Sequence, residues 1–116
     1  MIQNMMMISE GEIRKLGFPV NTKGFYYLIY ASVFAAQIGM RKVCLNKEIY
    51  DRIADIYDVS RESVEKCIRN CVDTAWRESK SNIIAYIGKD GRKPTNGEVI
   101  AFISSRITLE RGAHFC

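Results

Sequence analysis

Residues 50–69, YDRIADIYDVSRESVEKCIR, concentrate the side chains that could do chemistry in this chain. Read as a helix from Ser60 onward, the segment turns Arg61, Glu62, Glu65, Lys66, Arg69 and Asn70 outward. Val64, Cys67, Ile68, Cys71, Val72 and Ala75 form the opposite, apolar stripe. Lysine or arginine can donate to guanine O6 and N7, and glutamate can accept from cytosine N4. The outward face therefore has the chemistry to read a C/G-containing site in a major groove. The same charges also fit a merely solvated face stitched by ion pairs four residues apart, Glu62–Lys66 or Glu65–Arg69. The charges alone do not decide.

To reach a groove, such a helix must be held by a second one crossing it closely. A helix-turn-helix needs a small residue early in its first helix and apolar residues at fixed inward positions. Here Ala54 is the small residue, Tyr57 and Val59 flank the turn, and Val64, Cys67 and Ile68 point back to the core. Asp58 stands where glycine is commonest, and aspartate tolerates left-handed backbone better than most residues. Ser60 can cap the second helix or contact a phosphate. Lys47 and the more distant Arg41, Lys42, Lys89, Arg92 and Lys93 could reach flanking phosphates. The competing reading is an ordinary helical hairpin.

The elements around this unit are helical by pattern. Residues 8–17 read as a short helix with Ser9 as N-cap, Glu12 as its capping-box partner and Gly17 as the stop. Residues 1–7 are left as an N-terminal tail. GFYYLIYASVFAAQIG, residues 24–39, is apolar nearly all round and marks the central buried helix, with Tyr26, Tyr27 and Tyr30 in the core or at its rim. MRKVCLNK is a basic connector, and Asn46 can cap KEIYDRIADIYDV, where Ile49, Ile53, Ala54, Ile56 and Tyr57 share a stripe. A short helix is expected near residues 82–87, then the loop GKDGRK. A last helix opens with Thr95 as cap and Glu98 as capping-box partner. Trp76 is expected to anchor the end of the second helix in the core. The fold class is all-α, about six helices, one domain over residues 8–110 with the helix-turn-helix at 46–77 and a tail at 111–116.

Composition agrees with a single globular domain. The chain has 116 residues, 47% hydrophobic and 26% charged, with two prolines and a net charge of +4; this permits a nucleic-acid partner without demanding one. No stretch approaches the roughly 20 apolar residues of a membrane span, and the N-terminus lacks the marks of a signal peptide. A cytoplasmic, reduced setting follows, at the nucleoid if DNA is the partner. Cys67 and Cys71, one turn apart, could hold two corners of a metal site or a redox pair, but they fit packing better. With His114 as the single histidine, neither a zinc site nor a base–nucleophile constellation is supported. GKDGRKPT lacks the strand and spacing of a phosphate loop. No cofactor, no metal and no enzyme activity are expected.

Three motifs are familiar: GFPVNTKGFYYL, VEKCIRNCVDTAW and KPTNGEVIAFISSRITLE. In these motifs, over about four-fifths of the chain, the sequence resembles the C-terminal DNA-binding effector domain of the master response regulator of bacterial endospore formation. The resemblance implies a six-helix fold, sequence-specific binding of double-stranded promoter DNA, and homodimers on DNA with the last helices helping to form the contact. Carried over by motif, Glu65 and Lys66 take base-reading positions with Arg69 beside them, and Lys93 and Thr95 become phosphate contacts. Ser60, Arg61, Glu62, Asn70 and Lys47 remain backbone or secondary contacts. The family usually has arginine where Lys66 stands, and lysine cannot make the same planar two-pronged contact. Arg61 and Ser63 are exchanged relative to the common pattern. RNA polymerase is a further candidate partner. The chain is expected to lack the receiver domain whose aspartate accepts phosphate in the family, so phosphorylation would not control it in the usual way. The alternative is a stand-alone interaction module that pairs with a full-length regulator through its last helices and modulates it.

Overall fold

A computed structural model describes residues 2–39, 45–78, 87 and 91–113. Among these residues the chain is all-α: α1 (Ile2–Lys15), α2 (Lys23–Ile38), a π-helical turn (Leu45–Tyr50) running directly into α3 (Asp51–Tyr57), α4 (Arg61–Glu78) and α5 (Asn96–Ala113). Residues 40–44 of the basic connector, with Arg41, Lys42 and Cys44, lie outside the described residues, as do Lys89, His114, Cys116 and most of the short helix expected near 82–87, while residues 45–47 of that connector are helical.

α2 is the hub, packing against α1, α4 and α5. Its buried residues include Phe25, Tyr27, Leu28, Ala31, Val33 and Ala35 and leave little of its circumference wet, as its composition anticipated. Thr22 caps it, its hydroxyl accepting from the Phe25 amide at 3.3 Å. Gly39, at φ 92°, closes it by donating its N–H to the Ala35 carbonyl at 2.8 Å. The three tyrosines divide as expected between core and rim: Tyr27 is buried, Tyr30 half-buried and Tyr26 exposed.

α1 corrects one expectation. It begins at Ile2 rather than near residue 8, so residues 2–7 are helix and not tail. Ser9 is no cap but a buried mid-helix residue, its hydroxyl 2.6 Å from that of Ser32 on α2. Glu12 is buried as well and pairs with Lys15 and Arg106, each at 3.3 Å. The physical reason is Met5, 2% exposed in the common core. Burying it rewards a helix that continues past the local cap signal. The end was read correctly. Gly17, at φ 82°, donates to Arg14 O, and Phe18 donates back to Ile13 O at 3.4 Å, the paired contacts that finish a helix on a left-handed glycine.

A second correction concerns Asn46 and the stripe after it. Helical backbone already runs through Asn46 in the π-helical turn, so Asn46 is not an N-cap. The buried residues are Ile49, Tyr50, Ile53 and Ala54, whereas Ile56 is 51% exposed. Tyr50 and Ala54 widen the inward face to one side and rotate its centre past Ile56. Tyr57 ends the helix with its ring edge-on to Tyr27, centroids 4.9 Å apart, and Arg52 stacks 3.8 Å over Phe34. Both contacts dock α3 on α2.

A close backbone approach seats α4 on α2. A Cβ added at Gly24 would stand 2.3 Å from the Cys67 carbonyl oxygen and 2.7 Å from Cys71 Cβ. Neither atom is the far end of a flexible side chain, so the helices must part to admit a methyl group. Gly24→Ala is expected to destabilise the fold by about 1–3 kcal/mol. Urea denaturation checks this, and an unchanged midpoint would show that α4 can shift freely on α2.

Candidate nucleic-acid interface

The turn between α3 and α4 has the geometry its residues allow. Asp58 sits in left-handed backbone at φ 55°, ψ 52°, and the Val59 amide donates to Ala54 O at 3.0 Å. Ser60 caps α4, its hydroxyl accepting from the Ser63 amide at 3.1 Å. Arg61 then reaches back across the turn to Asp51, Nε to Oδ1 at 2.8 Å and Nη2 to Oδ2 at 3.0 Å. This two-pronged pair pins the start of α4 to the start of α3. The Arg61 side chain is still 41% exposed.

On α4 the residues Val64, Ile68, Cys71, Val72 and Ala75 face the core, and Cys67 and Trp76 pack half-buried at its edge. Glu62, Lys66, Arg69, Asn70 and Arg77 are exposed. Lys66 lies in the middle of that outer face, and among the described residues nothing pairs with it. Of the two ion pairs anticipated along the helix, Glu65–Arg69 forms at 2.7 Å. Glu62 and Lys66 are not bridged to each other. Lys47 is exposed on the π-helical turn, close enough to Asp51 to help hold its carboxylate charged.

Glu65 stands at the flank of this face, beside the start of α5. The Asn96 amide donates to the Glu65 carbonyl oxygen at 3.2 Å, to its Oε2 at 3.4 Å and to the Tyr50 hydroxyl at 3.4 Å. Thr95 and Glu98 make the reciprocal capping box expected of them. The Thr95 amide donates to Glu98 Oε1 at 2.8 Å, and the Glu98 amide donates to Thr95 Oγ1 at 3.1 Å. Arg92 pairs with Glu98, and the Lys93 ammonium is bound to Asp73 on α4. Lys93 is thus beside the outer face as anticipated, with a carboxylate already in hand. Between α4 and the start of α5 these residues line an open cleft of about 460 Å³, floored by Tyr50, Val72 and Pro94.

The geometry therefore brings Glu65, Lys66, Arg69, Asn70 and Lys93 to one side of the molecule, with Ser60 and Arg61 at one end of α4. Asp51, Asp73 and Asn96, which the sequence reading did not single out, hold three of these residues in place. Asp51 and Asn96 carry no local signal, because their partners lie 10 and 31 residues away.

The cysteine alternatives find little support. Cys67 and Cys71 are free thiols, and burial raises the Cys71 thiol to about 11, which leaves it protonated and a poor ligand or nucleophile. Among the described residues no group of three or more His, Cys, Asp or Glu could hold a metal ion. Nor is any helix long and apolar enough to cross a membrane.

Two packed helices joined by a tight left-handed turn, the second with a polar outer face, have the arrangement of a helix-turn-helix unit. The family model of the sporulation initiation factor Spo0A C terminal matches residues 10–107. The chain belongs to that family. It is a DNA-binding domain of the sporulation-initiation regulator type, its partner class is double-stranded DNA, and the family is regulatory rather than enzymatic.

The tethers leave a pH signature. The guanidinium of Arg61 holds the Asp51 carboxyl below its ordinary 3.8, and the Thr95 amide, then Arg92, holds Glu98 below its ordinary 4.5. Both are depressed carboxylates. Their contribution is complete above those ordinary values and drains away as pH falls through the lowered, folded-state ones. Urea midpoints recorded from pH 6 down to pH 2 are expected to fall over that acid window, and Asp51→Asn to flatten part of the slope. An identical pH profile for the variant would show that the Arg61 contact does not shape stability.

Proposed function

We propose that this domain regulates transcription by laying residues 60–77, the Ser60 cap and α4 as far as Arg77, into the major groove of a short promoter element. The observation that carries the reading is Lys66, central on the outer face of α4 and unpaired among the described residues, on a helix fixed at its start by the turn. A free ammonium there can donate to guanine O6 or N7. Glu65 and Arg69 flank it. Lys93, Thr95 and Lys47 lie where phosphates of the same duplex would pass, and Ser60, Arg61, Glu62 and Asn70 supply secondary contacts. On this reading the protein works at the nucleoid, as a homodimer on DNA, with RNA polymerase as its further partner.

The second reading, a module that pairs with a full-length regulator, draws on exposed apolar side chains. On the last helix, the surface through which such pairing would run, Leu109 is one of these and is 63% exposed.

Fluorescence anisotropy on a duplex carrying a TGTCGAA-like element, beside a scrambled duplex and across a salt series, separates the two. Specific regulators favour their element by about a thousandfold or more. Lys66→Ala is expected to cost about 1–3 kcal/mol on the element and far less on the scrambled duplex. Lys93→Ala is expected to weaken both duplexes alike and to flatten the salt dependence. Equal losses on the two duplexes for Lys66→Ala would remove the readout claim. Equal, salt-sensitive binding of the unaltered protein to both would move the interaction module to the front.

A further inference from the structure

Asp73 puts a carboxylate where a groove-facing helix has reason to avoid one. It stands seven residues beyond Lys66, almost two whole turns, so it shares the Lys66 side of α4. It also lies about 10 Å further along the helix axis. A major groove is about 12 Å wide. A helix that centres Lys66 on the bases therefore brings Asp73 toward the phosphates at the edge of the groove, which repel it. The carboxylate is bound to the Lys93 ammonium, and the Asp73 and Lys93 side chains remain 37% and 45% exposed.

Other carboxylates on this side have a second task in the fold. Asp51 pins the turn through Arg61, Glu98 closes the capping box with Thr95, and Glu65 takes the Asn96 amide besides Arg69. Among the described residues Asp73 has no hydrogen-bonding or ionic partner but Lys93. So exposed a pair contributes little to folding. Its electrical effect is the larger one, because ammonium and carboxylate cancel as seen from a phosphate. The ammonium has donors to spare, but a phosphate that used one would stand close to a second negative charge.

We propose that Asp73 determines specificity by repulsion: it cancels Lys93 toward passing phosphates, and so weakens the grip on random DNA more than the grip on the promoter element. The inference rests on α4 being the groove-facing helix. Binding to random sequence is essentially all phosphate attraction, and the protein settles wherever its cations find most phosphate. On the element the base contacts fix α4, and a freed Lys93 has to use whatever phosphate that position presents. A charge that cancels Lys93 thus penalises the wrong duplex more than the right one. Lys93→Ala, by contrast, bares the carboxylate and weakens both.

The test measures anisotropy of the whole chain on the element and scrambled duplexes across a salt series, for Asp73→Asn and for the double variant Asp73→Asn, Lys93→Gln. Asp73→Asn is expected to tighten the scrambled duplex about three- to tenfold at low salt and to steepen its salt dependence by about one phosphate contact. The element is expected to gain less, so the ratio between the duplexes narrows. The double variant is expected to give up the gain. Thermal melting reports folding, and Asp73→Ser makes the same charge change should Asp73→Asn fail to fold. Four results would overturn the inference. Asp73→Asn could leave the scrambled duplex unchanged. It could weaken binding, which would make Asp73 a support that aims Lys93 at a phosphate. It could tighten both duplexes equally, which would make it a charge without bearing on specificity. The double variant could keep the gain, which would show Asp73 acting without Lys93. If the unaltered protein does not separate the element from the scrambled duplex, the promoter-reading function falls and takes this inference with it; in each of the other cases that function stands.

Discussion

The contact on which the rest of the structure depends is the one without side chains between its partners, where the backbone of α2 at Gly24 meets the backbone of α4 at Cys67. α2 is the element that α1, α4 and α5 all touch. Whatever fixes α4 on α2 therefore fixes the outer face of α4 relative to the whole core. Close packing transmits small displacements instead of absorbing them. A groove-reading helix has to hold its side chains to within about 0.5 Å of the productive geometry. A glycine at the crossing achieves this by leaving no side chain there that could repack.

Around that crossing, polar contacts set orientation more than stability. Pairs such as Arg61–Asp51, Arg69–Glu65 and Lys93–Asp73 are partly exposed. Exposed pairs of this kind contribute little to folding. Their placement is the point. One pins the start of α4 to α3, and two bind its flank to itself and to the segment leading into α5. Asn96 adds a neutral tether to the same flank. The outcome is a helix whose edges are tied and whose middle, at Lys66, is open.

Much of this was legible in the residues, and the divide has a physical basis. Signals acting within one turn came through: Thr95 with Glu98, Ser60 as a cap, Asp58 in left-handed backbone, Gly17 as a stop. Each is a contact between residues no more than five apart, so the sequence itself carries both partners. The apolar stripe of α4 was legible for the same reason. What failed was any case where tertiary packing overrode a local cue. Ser9 and Glu12 have the spacing of a capping box, yet Met5 pulls the helix onward and buries both. The stripe containing Ile56 left out Tyr50, whose ring the core takes. Asn96 and Asp51 were invisible because their partners are distant in sequence, and the demand on Gly24 could be seen only once α4 lay across it. For the site, the residues that share the outer face were readable, and the division between those that are tied down and the one left open was not.

That division bears on the lysine at position 66. Where the family usually has arginine, a planar fork can bind two acceptors of one guanine, whereas an ammonium is a point charge that grips without enforcing an angle. On the proposed reading, a helix with lysine at its centre discriminates less at that base pair. Its flank is held at Glu65 by Arg69 and by Asn96, so on that reading selectivity depends on the packing of α5 against α4 as much as on the outer face itself.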